Sequence, residues 1–205
     1  MGAYDNLNEI QLDVMREIGN IGAGNACTAL SCLLGTTIDM SVPKIQLLGF
    51  DDTSDYLGGP DVEVLGVKID VKADLQGMMF HIVNKKFAER IINTFYEKKL
   101  DTLASIDEMD SSVISEMANI TSGAYANAIA TLSGYVVDIG TPDQTRSTIA
   151  DILRIPLEAF KEAGDKILVV DEQFIIDKEH ITSNMILVLE GESLKKLFNK
   201  LGVLE

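Results

Sequence analysis

The feature that most constrains the fold is a segment that occurs twice in the chain. Residues 13–43 align with residues 112–142 at a constant offset of 99, without a gap, and ten of the 31 aligned positions are identical. The identical pairs are Val14/Val113, Glu17/Glu116, Asn20/Asn119, Ile21/Ile120, Gly24/Gly123, Ala29/Ala128, Leu33/Leu132, Gly35/Gly134, Asp39/Asp138 and Pro43/Pro142. Internal similarity of this kind indicates that one supersecondary unit is used twice.

Each copy of the repeat is predicted to begin with a long helix. No proline lies between Asp13 and Leu34, and apolar or small residues recur with helical spacing along one side. The second copy repeats this layout. Gly35 and Gly134 stand where a helix would end with a left-handed residue.

The opposite side of each predicted helix carries a glutamate and, one turn later, an asparagine. These are Glu17 and Asn20 in the first copy and Glu116 and Asn119 in the second. The first helix also contains several glycines, each costing on the order of 1 kcal/mol against alanine, so we expect close approach of another backbone. A solvated face would explain one such pair, but its duplication at the same spacing argues for a functional patch.

The rest of each half reads as strand, variable segment, hairpin and helix. The predicted elements are strands Thr36–Met40 (prolonged by Lys44–Phe50), Val62–Val71 and Leu75–Val83 and helix Lys85–Lys99, then strands Tyr135–Ile139, Lys166–Ile176 and Ile181–Leu189 and helix Glu192–Leu201. The variable segment of the first half is the turn-rich stretch Asp51–Asp61, which differs in content and length from its counterpart in the second half. Its counterpart Asp143–Asp165 carries a helical pattern that we expect to break at Pro156.

Three strands per half cannot bury both of their faces alone. We therefore predict one α+β domain over residues 1–205, built from repeats at about 8–100 and 107–205. A pseudo-twofold axis would relate the halves, whose strands would form one continuous six-stranded sheet beside two long helices.

Composition excludes several classes of function. The net charge of −15, from 32 acidic and 17 basic residues, argues against nucleic-acid binding. No apolar run approaches the roughly 20 residues of a membrane helix, and the N-terminus lacks a basic signal-peptide start, so we expect a cytoplasmic protein without membrane insertion.

His81 and His180 lie outside metal-ligand spacings, which predicts no metal site. Cys27 and Cys32 are interpreted as small buried residues.

A carboxamide and a carboxylate one turn apart suit a helix that completes another protein's active site. A carboxamide both donates and accepts hydrogen bonds, so it orients an attacking water, as a glutamine does in GTP-hydrolysing switches. The glutamate would pair with a lysine or arginine of the partner. A competing interpretation makes Glu17 and Glu116 a catalytic carboxylate pair, as in glycoside hydrolysis, which requires both helices to converge on one pocket.

The spacing [Asp/Ser]-x3-Glu-x2-Asn-x22-Pro resembles the signature of the CheC-type chemotaxis phosphatases, a family that includes CheC, CheX and FliY. It occurs twice, as Asp13-Glu17-Asn20-Pro43 and as Ser112-Glu116-Asn119-Pro142. The resemblance implies hydrolysis of the aspartyl phosphate of phosphorylated CheY, with the asparagines positioning water and the glutamates pairing with the regulator's active-site lysine. It also implies that the chain has no cofactor of its own and that CheY carries the Mg²⁺. Partner contacts are expected at Asp13, Gly24, Ser112 and Gly123, and structural roles at Pro43 and Pro142.

Two intact copies resemble CheC more than CheX, which keeps one site per chain. The resemblance also implies a second partner, the receptor deamidase CheD, which we expect to contact Ser147–Ala163, and we expect a monomer. The alternative function is a CheD-binding adaptor that regulates receptor deamidation with weak residual phosphatase activity. A flagellar-switch structural component is disfavoured because no further domain is appended.

Overall fold

A computed structural model describes residues 2–161, 164–176 and 178–204 of the chain. In chain order its elements are α1 (Glu9–Leu34), β1 (Ile38–Met40), β2 (Lys44–Gly49), α2 (Phe50–Tyr56), β3 (Glu63–Ala73), β4 (Gly77–Val83), α3 (Lys85–Tyr96), a 3-10 turn (Leu103–Ser105), α4 (Glu108–Ser133), β5 (Val137–Ile139), β6 (Asp143–Thr148), α5 (Ile149–Ala159), β7 (Lys166–Ile176), β8 (Glu179–Leu189) and α6 (Gly191–Lys200). Among these residues no helix is long and apolar enough to cross a membrane.

The two motif helices, α1 and α4, each contain 26 residues and pack against each other. Both begin with a capping box, built on Asn8 in α1 and on Asp107 in α4. Both end at the predicted glycines, Gly35 with φ 63° and Gly134 with φ 71°. The prediction of two long helices with left-handed glycine ends is therefore confirmed.

The sheet is antiparallel and its strand order shows how the halves interlock. The path is β1–β7–β8–β4–β3–β5, with β2 also pairing with β7 and β6 also pairing with β3. The counterparts in the two halves are β1 and β5, β3 and β7, and β4 and β8. Exchanging each strand for its counterpart reverses the order, so a pseudo-twofold axis passes between β4 and β8. Each half thus supplies the outer strands that cover the other half's hairpin.

The predicted α+β class with duplicated halves is confirmed, but within the described residues the sheet contains eight strands rather than six. Each outer position holds two short strands, because Pro43 separates β1 from β2 and Pro142 separates β5 from β6. Proline has no N–H for a ladder hydrogen bond and interrupts an edge strand. The second variable segment therefore starts with strand β6, which was not predicted and lies ahead of the predicted helical pattern.

Both variable segments contain a helix. The first was predicted to be turns but includes α2, which has 7 residues, and the second includes α5, which has 11. The expected break at Pro156 is wrong, since α5 continues through it. Ile152, Leu153 and Pro156 are all buried, and burial of this apolar side of α5 offsets the helical hydrogen bond that proline removes.

Several element boundaries differ from the predicted ones. Strand β3 runs through Lys72 to Ala73, where a turn was expected, and α3 ends at Tyr96 rather than Lys99. The predicted turn around Asp177–His180 lies partly outside the described residues, and β8 already begins at Glu179. The extension of β3 matters because it places Lys72 beside one of the candidate sites.

Two hydrophobic clusters hold the helices on the sheet. The first includes Met15 and Ile18 of α1 and residues of β7, β8, α5 and α6. The second includes Phe87 of α3 and Ile114 and Met117 of α4. Because α1 and α4 each bury one side in these clusters, their opposite sides face outward in a fixed orientation.

Candidate active sites

The outward sides of α1 and α4 present the predicted glutamates and asparagines. Glu17, Asn20 and Glu116 are exposed, and Asn119 is half-buried. The prediction that these polar residues lie opposite the apolar side is thus confirmed for both helices. One detail differs, because Ala126 was assigned to the outward side of α4 but is 3% exposed.

The first cleft lies between α1 and the connection from β1 to β2. It encloses about 370 Å³. Its wall on α1 is formed by Asn20, Gly24 and Cys27, among others, and its opposite wall by residues 39–43, which include Pro43. The motif proline therefore lies across a cleft from the motif asparagine.

The second cleft repeats this arrangement between α4 and the connection from β5 to β6. It encloses about 600 Å³. Ser112, Glu116 and Asn119 form one wall, and the opposite wall includes Pro142. Lys72 of β3 also lines this cleft.

The two clefts are separate, which bears on the carboxylate-pair interpretation. Glu116 lines the second cleft with Asn119, whereas Glu17 is exposed on α1 and lines neither of these two clefts. Neither of these two clefts therefore brings the glutamates together. A glycosidase-like arrangement, which requires both carboxylates on one substrate, finds no support in the two clefts.

The four motif side chains are uncommitted within the protein. Among residues 2–161, 164–176 and 178–204, none of Glu17, Asn20, Glu116 and Asn119 makes a side-chain hydrogen bond or an ion pair. Asp13 differs, because its carboxylate accepts a hydrogen bond of 2.5 Å from Arg16. Each glutamate and asparagine is thus available to a partner.

The glycines of α1 serve different purposes. A Cβ on Gly22 would lie 2.8 Å from the ring of Tyr125, and one on Gly19 would lie 2.3 Å from Ile45. We expected another backbone to approach these glycines closely, but the side chains of Ile45 and Tyr125 occupy the space beside them. A Cβ on Gly24 would meet nothing within 4 Å, and one on Gly123 would lie 3.8 Å from Ile139. Gly24 therefore leaves open space beside the first cleft.

Two buried polar pairs, which the sequence reasoning missed, fix α4 to the sheet. The hydroxyl of Tyr125 donates a hydrogen bond of 2.7 Å to Glu172 of β7. His81 Nε2 of β4 lies 2.8 Å from the hydroxyl of Ser122. Burial raises the pKa of Glu172 to about 7 and lowers the pKa of His81 to about 4.

The equivalent positions of α1 carry no such groups. At the repeat offset, Ser122 and Tyr125 correspond to Ala23 and Ala26, which are buried by apolar contacts. The signal in the sequence was the polar group Asp171, Glu172 and Gln173, which interrupts the apolar residues on either side of it in β7. Helix α4 therefore has two buried side-chain contacts with the sheet that α1 lacks at the equivalent positions.

The clefts also differ in charge. In the register of strands β3 and β5, Lys72 lies opposite Asp138. At the matching place in strands β7 and β1, Ile175 lies opposite Asp39. The second cleft thus has a cation where the first half has an apolar residue. Sequence reasoning missed Lys72 because it assigned this residue to a turn.

Cysteines and metal-binding groups add little to either site. Cys27 is half-buried and its thiol donates to the carbonyl of Ile38 at 2.6 Å, whereas Cys32 is exposed, contrary to the expectation that it would be buried. In the described part of the chain no three His, Cys, Asp or Glu residues are grouped so as to hold a metal ion. The first cleft is lined by the carboxamide of Asn20, and the second by Asn119, Glu116 and Lys72.

Sequence comparisons identify relatives of the chain. A family model described as the CheC-like family matches residues 10–46 and 109–145. The chain is 33% identical over 208 residues to the CheY-P phosphatase CheC of Bacillus subtilis, covering 98% of this chain and 99% of that protein. It is 28% identical over 141 residues to the flagellar motor switch phosphatase FliY of the same organism, covering 67% of this chain and 36% of that protein.

Solved structures share the fold. FliY from Thermotoga maritima matches with a TM-score of 0.74 at 22% identity, covering 97% of this chain and 99% of that one. A chain of the FliG–FliM complex from H. pylori matches with a TM-score of 0.69 at 13% identity, covering 92% and 98%. The match to CheC of B. subtilis over almost the whole length of both chains, together with the family model that matches twice, shows that this chain belongs to the CheC-like family.

Proposed function

We propose that the chain is a phosphatase that hydrolyses the aspartyl phosphate of a phosphorylated CheY response regulator in bacterial or archaeal chemotaxis. A relative that matches almost the whole chain is named a CheY-P phosphatase. The duplicated motif implies the same activity. This role goes with a cytoplasmic location and action as a monomer.

The observation that carries the proposal is the duplicated cleft. In each half an uncommitted asparagine on a rigid helix lies across a cleft from a proline-bearing connection. Asn20 and Asn119 accordingly occupy the same place relative to the fold. Two separate clefts, each with one carboxamide, fit two independent sites of water activation.

The carboxamide supplies geometry rather than a base. Its oxygen accepts a hydrogen bond from the attacking water, and its NH₂ donates to the water or to a phosphoryl oxygen. The water oxygen attacks phosphorus as the bond to the aspartyl oxygen breaks, the aspartate leaves as a carboxylate, and a water proton passes to the released phosphate. In phosphoryl transfer such positioning supplies most of the rate enhancement that a protein provides.

The glutamates serve to hold the regulator. Glu17 and Glu116 are exposed and unpaired within the described residues, so each offers a carboxylate to the active-site lysine of CheY. An exposed ion pair of this type contributes about 1 kcal/mol or less, although partial burial at the interface strengthens it. Mg²⁺ is expected to arrive bound to the regulator.

Phosphate release from phosphorylated CheY tests the proposal. Replacing both asparagines with alanine should reduce release to the regulator's own rate, while binding of a beryllofluoride-loaded regulator stays within about twofold. Glu17→Gln combined with Glu116→Gln should instead raise KM. Wild-type-like turnover in the double asparagine variant would reject the proposed phosphatase.

Binding of the receptor deamidase CheD is a second candidate function, which the family resemblance suggests. The structural feature in its favour is the greater length of α5, with 11 residues against 7 in α2. Of the predicted contact segment, residues 162–163 lie outside the described residues. Loss of CheD binding after substitution of Arg154 and Glu158, both exposed on α5, with phosphatase activity retained, would support an adaptor role.

A further inference from the structure

Two large apolar side chains are exposed at equivalent places in the repeat. Ile10 is 61% exposed and Met109 is 62% exposed. They differ by the repeat offset of 99 and each is the second residue of a motif helix. Water contact of this kind is common for a single apolar residue, but here the two halves repeat it while their sequences differ.

Both residues lie on the side of the helix that carries the candidate active site. Ile10 precedes Glu17 by seven residues, as Met109 precedes Glu116, and seven residues at about 100° each bring the side chains to within about 20° of each other around the helix. At about 1.5 Å per residue the separation along the axis is about 10 Å. A partner domain seated on Glu17 and Asn20 would therefore also reach Ile10.

Helix capping does not account for this exposure. The hydrophobic contact that supports a helix start joins the residue before the cap to the fourth helical residue, which in α1 are Leu7 and Leu12. Both are half-buried, whereas Ile10 projects into solvent. The position is thus free to serve an external contact.

Charged residues lie next to the apolar side chain along the helix. Glu9 precedes Ile10 and Asp13 follows it by three residues. Arg16 donates to Asp13 at 2.5 Å and lies 3.6 Å from Glu9. In the second copy the exposed residues Glu108 and Ser112 flank Met109. An apolar centre with a polar, mainly acidic border matches the anatomy of a protein–protein interface, and it complements a partner whose facing patch is apolar with basic residues around it.

We propose that Ile10 and Met109 are the apolar anchors with which each site binds the folded regulator domain that carries the aspartyl phosphate. This inference rests on the proposed function and adds to it the surface that determines affinity. The anchors lie outside the clefts, so they act on binding rather than on the chemical step. One regulator domain would occupy each half.

The test uses the full chain with Ile10→Ser and Met109→Ser combined. Affinity for beryllofluoride-loaded regulator and KM for phosphorylated regulator should each weaken about tenfold, as expected when each site loses one buried aliphatic anchor. The kcat should stay within about twofold, and the conservative Ile10→Leu with Met109→Leu should retain wild-type affinity. Val136→Ser is the matched control, because Val136 is 60% exposed and lies beyond the other end of α4.

The outcomes separate this inference from the proposed function. If wild-type protein hydrolyses the phosphoryl group but the serine variant keeps its affinity, the anchors are refuted and the phosphatase stands. An equal loss in Val136→Ser would also refute them. A wild-type oligomer that the serine variant dissociates would assign these residues to self-association instead.

Discussion

The hydroxyl of Tyr125 lies 2.7 Å from the buried carboxylate of Glu172, joining the second motif helix to strand β7. The ring of this tyrosine also packs against Gly22, so the same side chain sets the distance between α1 and α4. Glu172 is 0% exposed and Oε2, its second oxygen, has no partner among the described residues. The junction between the two candidate sites therefore depends on a buried acid.

Replacing Glu172 with glutamine should change how stability depends on pH. Burial raises the pKa of Glu172 from 4.5 to about 7 in the folded protein, so between these values the unfolded chain has released a proton that the folded chain keeps. The stabilisation that comes from the raised pKa of Glu172 is fully present below about pH 4.5 and is lost as the pH rises through about 7. At about 1.4 kcal/mol per pKa unit the loss is about 3 kcal/mol.

Urea unfolding of wild type and Glu172→Gln from pH 4 to pH 8 measures this effect. The free energy of unfolding of the variant, relative to wild type, should rise by about 3 kcal/mol across this range. Glu158→Gln, at an exposed position on α5, is the control and should show no such trend. A constant difference between Glu172→Gln and wild type would contradict the assignment.

His81 should have the opposite effect. Burial lowers its pKa from 6.5 to about 4, so the unfolded chain binds a proton before the folded chain does, and wild-type stability falls as pH drops from about 6.5 to about 4. His81→Met places there the residue type of Met185, its counterpart on β8. The variant should gain about 3 kcal/mol relative to wild type between pH 7 and pH 4, whereas the exposed His180→Gln should not.

How far the sequence predicts this fold is visible in the motif helices and in the clefts. The duplicated spacing predicts both helices, their glycine ends and the outward side that bears Glu17 and Asn20, because periodicity and capping are local. The clefts depend on the connections across the prolines, whose position is set by pairing between the two halves. Local patterns do not encode that pairing.

The missed elements have physical causes as well. Strand β6 reads DQTRST, without the apolar alternation of a half-buried strand, and it forms because β3 offers an open edge. Helix α2 is too short for a periodic pattern to emerge. Glu172 was missed because sequence-based interpretation assigns charged residues to the surface unless a partner is visible, and its partner Tyr125 lies 47 residues away.

Two glycine substitutions should have opposite effects on stability. Gly22→Ala places a methyl group 2.8 Å from the ring of Tyr125, and the resulting overpacking of about 1–3 kcal/mol exceeds the helix gain of about 1 kcal/mol. Gly24→Ala meets nothing within 4 Å and should stabilise by up to about 1 kcal/mol. Urea unfolding measures both, and stabilisation by Gly22→Ala would contradict the packing described.

Lys72 should affect one site only. Because it lines the second cleft and its counterpart is Ile175, Lys72→Met should raise KM for phosphorylated CheY up to about fivefold in the Asn20→Ala background. It should change nothing in the Asn119→Ala background. The effect should shrink as salt is added, and exposed Lys196→Met on α6 is the control. An equal effect in both backgrounds would mean that Lys72 acts through overall charge.

The central claim is that one chain carries two independent sites of water positioning, and initial phosphate release from phosphorylated CheY tests it most directly. Rates are compared at equal protein concentration for wild type, Asn20→Ala, Asn119→Ala and the double variant. The account predicts that the two single-variant rates, each corrected for spontaneous hydrolysis, add up to the wild-type rate, and that the double variant shows spontaneous hydrolysis alone. Wild-type release by the double variant would contradict it.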